Sequence, residues 1–382
     1  MADWVFMVLF LAFVYLLKFF LTDKRPKLHL ADNSKMREIS EKCATFKQSY
    51  VPTFWCFLGH AMTVAASLMR DFFRQHYPYE RETLNTPDGG CVNVDWAGKE
   101  NIKKSEDASV IIFLSGITNS SKATYLIKHV EHFVSKGWIC GCYIYRGADN
   151  TEVKTPLLYY GSFFNDLELI VQHVRSRYPK SAICVMGVSL GGMITFNTMC
   201  KSSVVKKEVS AAVCLSMPWN PFVSCKDIHS GINYYLFNKP ISSSLKQLAK
   251  KHVNMLTKIG VSEKTIDELH TIKGYDQMIV AKMAGYESCE DYYTDAGPVF
   301  KMDQIEKPLL AINARDDPFS APAGFPTDAE LAKCSSPIAL LEYNFGGHMG
   351  FATNWLACDM FTCGVISEFC ENAIKVDSAQ VD

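Results

Sequence analysis

From Val110 onward the chain alternates short apolar runs with longer helical segments, and no other feature constrains its fold as much. The runs are 110–114, 138–145, 182–186, 211–215, 309–313 and 338–343. Each is continuously apolar rather than alternating, the pattern of a strand buried on both faces. Parallel strands need crossovers, and the helical segments supply them, so the spacing predicts an α/β domain with a mostly parallel sheet flanked by helices. At 382 residues and 48% hydrophobic content the chain can bury a full core. Its 39 Lys+Arg balance 40 Asp+Glu, leaving no field to gather phosphates, so nucleic acid is not an expected partner.

The run 182–186 leads into Gly187-Val188-Ser189-Leu190-Gly191, a G-x-S-x-G sequence followed by a helical segment. A sharp strand-to-helix turn needs glycine at Gly187 and Gly191, where a Cβ would collide with neighbouring backbone, and it holds Ser189 strained with its hydroxyl exposed. Average composition yields roughly 0.1 chance matches in a chain of this length. A serine hydroxyl is a poor nucleophile at neutral pH, so it requires a base, and the base requires a carboxylate to orient it. In this context the order is serine, then acid, then histidine.

After the run 309–313 come Arg315-Asp316-Asp317-Pro318, and after 338–343 come Gly346-Gly347-His348-Met349-Gly350. Both lie at the carboxyl ends of strands, where ligands gather in open α/β sheets. His348, alone among ten histidines in sitting among glycines just past the last core strand, is the expected base. Asp317, two residues into a turn closed by Pro318, is the expected orienting carboxylate; Asp316 competes for that role, and whichever of the two does not face the imidazole is expected to cap the turn. Backbone N–H groups of Leu190 and Ile117 are the expected oxyanion donors. Asn119-Ser120-Ser121 is formally a glycosylation acceptor, but a cytosolic loop beside the site would receive no sugar. No Walker loop, G-x-G-x-x-G, H-E-x-x-H or paired metal-ligand spacing occurs, so no cofactor and no metal are expected.

Three further regions complete the plan. Residues 4–21 form an apolar stretch interrupted only by Lys18, barely long enough to span a bilayer. Asp3 precedes it and no small-residue cleavage site follows, so it reads as a retained transmembrane anchor rather than a signal peptide; a buried or interfacial helix is the alternative. Lys18, Lys24, Arg25 and Lys27 all lie carboxy-terminal to the unbroken run Trp4 to Leu17, which places the large domain on the cytosolic side. The fourteen cysteines are scattered, without C-x-x-C, and read as free thiols in a reducing compartment. Residues 22–105 form an N-terminal extension with a helical stretch at 61–74 and a hairpin turned by Thr86-Pro87-Asp88-Gly89-Gly90. Residues 106–375 form the main domain, with a helical lid inserted at about 218–307. Its tyrosines, Tyr234, Tyr235, Tyr275, Tyr286, Tyr292 and Tyr293, either line an acyl groove or belong to ordinary core.

Tyr50 to Phe57 (YVPTFWCF), Thr86 to Gly90, Asp95-Trp96, Tyr145-Arg146-Gly147, Asp291-Tyr292-Tyr293, Asn313 to Phe319 and Gly346 to Phe351 occur together in one family. By these the chain resembles the membrane-anchored α/β-hydrolase domain-containing proteins, types one and three in particular. The resemblance implies an α/β-hydrolase fold with a Ser-Asp-His triad on Ser189, Asp317 and His348, and hydrolysis of lipid esters. Within it the type-three protein is a phospholipase acting on phosphatidylcholines with medium-length or shortened chains, and the type-two relative is a monoacylglycerol lipase. The leading expectation is thus a membrane-anchored phospholipase of the A type. Monoacylglycerol or short-ester hydrolysis and acyl transfer share every catalytic residue, and a silent hydrolase fold serving as an interaction module is a third reading. Gly297-Pro298 and Ala352-Thr353 depart from the family pattern, both near the expected pocket, which leaves the substrate open rather than the reaction type.

Overall fold

The computed structural model describes residues 2–72, 76–103, 105–357 and 359–378. Nine strands form one sheet: β1 (Lys27–Leu30), β2 (Glu80–Asn85), β3 (Cys91–Ala97), β4 (Val110–Leu114), β5 (Ile139–Ile144), β6 (Ile183–Val188), β7 (Val209–Leu215), β8 (Leu309–Ala314) and β9 (Ile338–Tyr343). Their spatial order is β1-β9-β8-β7-β6-β4-β5-β3-β2. The six strands from β4 to β9 run parallel, while β1 lies antiparallel on β9 and the β2–β3 hairpin antiparallel on β5. The predicted runs match β4 and β9 end to end and the other four to within two residues.

Burial explains why those runs are legible. In β4, Ile111 and Phe113 enter the core on one face of the sheet, and Val110, Ile112 and Leu114 enter the core on the other. A strand covered on both sides has no solvent face, so its sequence shows no polar alternation. The four residues of β1 carry no such mark, because an edge strand is decided by its pairing partner; buried His29 lies 2.8 Å from the Glu342 carboxylate of β9. Residues 27–97 thus contribute three of the nine strands.

The helices that matter for the site are α1 (Ala2–Leu21), α2 (Ser34–Lys42), α3 (Gly59–Phe72), α4 (Thr124–Ser135), α5 (Asn165–Arg177) and α6 (Leu190–Lys201). The helical stretch expected at 61–74 is α3, and its last two positions lie outside the described residues. Helix α6, entered directly from β6, is buried from Gly191 to Cys200, enclosed between the sheet and the insertion. That insertion follows β7 and contains α7 (Pro221–Ile228), α8 (Lys239–Lys251) and α9 (Cys289–Ala296). Asn220 starts α7 by accepting the Phe222 and Val223 N–H groups at 3.0 and 3.4 Å, with Pro221 at the first helical position. Two π-helical turns, Tyr234–Asn238 and Asp276–Val280, interrupt the insertion. Buried Asn197 on α6 pins it down, donating to Gly161 O at 3.1 Å and Ala296 O at 3.0 Å, and accepting from Lys301 Nζ at 3.0 Å. A small hairpin, β10 (Ala352–Thr353) and β11 (Asp359–Met360), precedes the closing helix α10 (Thr362–Ser378).

Within α1, Trp4–Leu21 is long and apolar enough to cross a membrane. Its carboxy-terminal half meets the domain, where the Tyr15 and Phe19 rings lie 4.4 and 5.1 Å from Phe57. The described cysteines are free thiols, all buried except the half-buried Cys225.

Candidate active site

The site is built at the carboxyl edge of the parallel strands. Between β6 and α6, Ser189 adopts φ 56° and ψ −119°, a conformation that persists at a cost of about 1–3 kcal/mol where surroundings over-determine it. The surroundings do so here: a Cβ on Gly187 would lie 2.1 Å from Gly191 O, and one on Gly191 would lie 2.5 Å from Ser115 O. Ser189 N–H is tied to Leu215 O at 2.9 Å. Both glycines are therefore required, and the hydroxyl is aimed out of the sheet's edge.

There it meets His348. Ser189 Oγ lies 2.8 Å from His348 Nε2, and His348 Nδ1 lies 3.0 and 2.9 Å from the two Asp317 carboxylate oxygens. A carboxylate at Nδ1 accepts a hydrogen bond from the N–H there and leaves Nε2 free to receive a proton from the serine. All three side chains are buried. The Phe319 ring stacks on the imidazole at 4.2 Å and shields it from solvent.

The two adjacent aspartates divide their work differently from expectation. Asp317 both faces the imidazole and caps the turn, its Oδ1 accepting the Phe319 and Ser320 N–H groups at 2.7 and 3.1 Å. Asp316 caps nothing in its own turn; it reaches across to the histidine loop and accepts the Gly347 N–H at 2.8 Å. Its other oxygen is buried with no hydrogen-bond partner among the described residues. Burial, with the neighbouring Asp317 carboxylate, raises the Asp316 pKa to about 7, against the pull of the Gly347 N–H.

The two expected oxyanion donors flank the serine. Gly116 N–H donates to Tyr125 OH at 2.8 Å and Thr118 N–H to Tyr159 OH at 3.1 Å, so the two tyrosines clamp the loop on either side of Ile117. Among the described residues the Ile117 N–H between them has no partner. Leu190 opens α6, so its N–H has no carbonyl one turn earlier within the helix. Ile117 and Leu190 both line the cavity onto which Ser189 opens. Asn119 lines it too, donating to Ile117 O at 3.2 Å.

That cavity has a volume of about 250 Å³. Its far side comes from the insertion: Pro218, Pro221, Ile228, Ile241, Ile272 and the pair Tyr292–Tyr293. Of the six tyrosines considered, only these two reach it; Tyr275 is buried in the core, and Tyr235 lies exposed on the outer surface. Neither Gly297-Pro298 nor Ala352-Thr353 lines the cavity. The first turns back against Phe300 and Pro221, and the second lies beneath α3, where Tyr50 OH donates to Ala352 O at 2.9 Å.

Sequence reading missed the residues that hold the histidine loop. Thr63 Oγ1 accepts the His348 N–H at 2.8 Å, Arg70 donates to Met349 O at 3.1 Å and to Gly350 O, and Ser216 Oγ accepts the Met349 N–H at 3.1 Å. Thr63 and Arg70 stand on α3, nearly three hundred positions earlier in the chain, and carry no local signal. Also missed was Asp276 at the cavity wall, which accepts from Tyr293 OH at 2.8 Å and whose pKa burial raises to about 7. Nothing local marks Asp276, which stands among Lys273, Gln277 and Lys282.

Sheet order, serine elbow and covering insertion define the chain as a hydrolase of the α/β-hydrolase class. Among solved structures, an esterase of Pyrococcus furiosus, Pf2001, superposes with a TM-score of 0.50 at 17% identity, covering 78% of this chain and 91% of its own, a likeness of fold. No protein-family model matches the chain. The chain is 32% identical over 333 residues to Phospholipase ABHD3 of Homo sapiens, covering 86% of this chain and 80% of that protein. It is 28% identical over 256 residues to the monoacylglycerol lipase of Saccharomyces cerevisiae, covering 65% of this chain and 56% of that protein. The chain belongs to the α/β-hydrolase domain-containing (ABHD) family.

Proposed function

We propose that this protein is a membrane-anchored serine hydrolase that cleaves acyl esters of phospholipids, with Ser189 as nucleophile, His348 as base and Asp317 as its orienting partner. The observation that carries the reading is the Ser189 Oγ to His348 Nε2 distance of 2.8 Å at the floor of an otherwise mainly apolar cavity. The hydroxyl proton passes to Nε2 as Oγ attacks the ester carbonyl, and the N–H groups of Ile117 and Leu190 receive the developing oxyanion. The imidazolium then protonates the departing alcohol, leaving an acyl group on Ser189. Water, deprotonated by the same nitrogen, releases the fatty acid and restores the hydroxyl.

The lipid substrate is supported by the names of the relatives, a phospholipase and a monoacylglycerol lipase. Trp4–Leu21 supports an anchor that keeps the site at the lipid surface, and the basic residues after it support a cytosolic domain. In this reading 4–21 is the anchor, 22–105 the extension and 106–375 the hydrolase domain with its lid.

The test uses detergent-solubilised protein with phosphatidylcholines of graded chain length and a monoacylglycerol, measuring released fatty acid against Ser189→Ala. Release by wild type alone, greatest from shorter-chain phosphatidylcholine, is the expected result. Preference for monoacylglycerol would move the substrate assignment to that lipid. Activity surviving in Ser189→Ala would mean that another group is the nucleophile.

A further inference from the structure

We infer that the hydrolase domain carries a second membrane contact, separate from α1: an apolar face formed by Val51, Phe54, Trp55, Val64, Leu68 and Trp355 that seats on the phospholipid bilayer. The inference rests on the reading of α1 as a membrane helix.

Depth along α1 is the first reason. Tyr15 OH donates to Phe54 O at 3.2 Å, and the Tyr15 ring packs on Phe57. Tyr15 lies six residues inside the end of α1 at Leu21, which at 1.5 Å per residue is about 9 Å along its axis. A span of 18 residues, apolar but for Lys18, reaches about 27 Å, less than the hydrocarbon thickness of a bilayer, so none of it can stand clear of the lipid. A domain segment bonded at Tyr15 therefore sits at the depth of the headgroup and acyl boundary, where monotopic elements bury about 5–10 Å.

The composition of the surface at that depth is the second. Neither 51–69 nor 343–358 contains a single Lys, Arg, Asp or Glu. The two segments are neighbours: the Phe54 ring lies 5.1 Å from Trp355, Trp55 Nε1 donates to Trp355 O at 2.8 Å, and Met62, Ala65 and Ala66 of α3 pack on Ala352 and Ala357. Over this small core the large side chains point outward. Trp355 is 70% exposed, at the tip of the β10–β11 hairpin, and Leu68 on α3 is 64% exposed. Asn354 and Ala357, flanking Trp355, hold φ of 63° and 53°, left-handed backbone that presents the indole away from the protein. Tryptophan prefers the water–lipid boundary, and a contiguous apolar patch of this kind marks an interaction surface.

Seating this face orients the site. Helix α3 holds the histidine loop through Thr63 and Arg70, and at its start His60 Nε2 lies 2.6 Å from Asn233 Oδ1 of the insertion. The face and the catalytic loop thus share one helix, which also touches the insertion, so seating the face fixes the catalytic loop relative to the bilayer.

Full-length protein in phosphatidylcholine vesicles whose acyl chains are brominated near the headgroup tests the inference through indole emission. Wild type is expected to be quenched more than Trp355→Phe, the difference being the Trp355 contribution; equal quenching overturns the inference and leaves the face to a protein partner or a second copy. In parallel, Leu68→Asp and Trp355→Asp are expected to lower hydrolysis of bilayer phosphatidylcholine about tenfold while leaving hydrolysis of a water-soluble butyrate ester within about twofold. Loss on both substrates, or on neither, also overturns it. If wild type hydrolyses neither substrate, the enzymatic reading fails, and the quenching still decides the surface; release of wild type by alkaline carbonate would count against α1 as an anchor.

Discussion

The two walls of the cavity at Ser189 are built differently. On the sheet side each polar group is held by hydrogen bonds that involve backbone N–H groups: Asp317 accepts two, Thr63 Oγ1 accepts that of His348, and two tyrosine hydroxyls accept those on either side of Ile117. On the insertion side the wall is mainly Pro, Ile and Tyr, with Asp276 and Tyr293 as a hydrogen-bonded polar pair. Hydrogen-bonded polar groups fix position, whereas apolar packing fixes volume. Chemistry thus belongs on the strand ends and substrate shape on the insertion, and the two should respond separately to substitution.

The largest expected effect is on the sheet wall. Ser189→Ala should lower hydrolysis by about 10³-fold or more, and labelling by a fluorophosphonate probe should vanish with it. Next, the paired aspartates should part company. Asp317→Asn should cost about 10³–10⁴-fold in kcat, because an amide at Nδ1 no longer stabilises the imidazolium, whereas Asp316→Asn, which still accepts the Gly347 N–H, should stay within about tenfold. Equal losses in steady-state assays would show that the two carboxylates act as a unit.

The insertion wall should change preference rather than rate. Ile272→Trp, which fills part of the cavity of about 250 Å³, should lower kcat/KM for long acyl chains about tenfold relative to short ones while leaving a butyrate ester nearly unchanged. A uniform loss across chain lengths would mean that the cavity does not hold the acyl chain.

The smallest effect is thermodynamic. Asp316 has a pKa raised from 3.8 to about 7, so between these values the folded chain retains a proton that the unfolded chain has lost. Its contribution to stability is complete below about pH 4 and is lost as pH rises through about 7. Asp316→Asn should flatten that slope, giving a gain of about 1–2 kcal/mol, or a few degrees in Tm, at pH 8 and little at pH 4. Calorimetry at the two pH values checks the sign; a variant less stable at pH 8 would mean that the charged carboxylate is itself stabilising.

Sequence and structure agree most closely where local rules act. The six parallel strands are legible because burial on both faces removes polar alternation, and the elbow is legible because its two glycines stand at fixed spacing around the serine, although only Gly187 answers to a contact within a few residues, Gly191 O, while Gly191 answers to the distant Ser115 O. His348 and the aspartate pair are legible because strand ends followed by glycine or proline mark loops at the carboxyl edge. Beyond local rules the sequence is silent. Nothing in Lys27–Leu30 announces a strand until β9 supplies its partner, and nothing in Thr63 or Arg70 announces a role until α3 is laid against the histidine loop. Of six tyrosines at similar spacing, packing alone selected the two that meet the cavity.

By itself, then, the amino-acid sequence determined the layered α/β architecture, the strained serine, the histidine and the apolar N-terminal stretch, because each rests on a hydrophobic run or on glycines set at the end of one. Only the tertiary structure decided between Asp316 and Asp317, since adjacent side chains on one turn point in different directions, and their neighbours, His348 and Gly347, arrive from a strand and loop some thirty residues away.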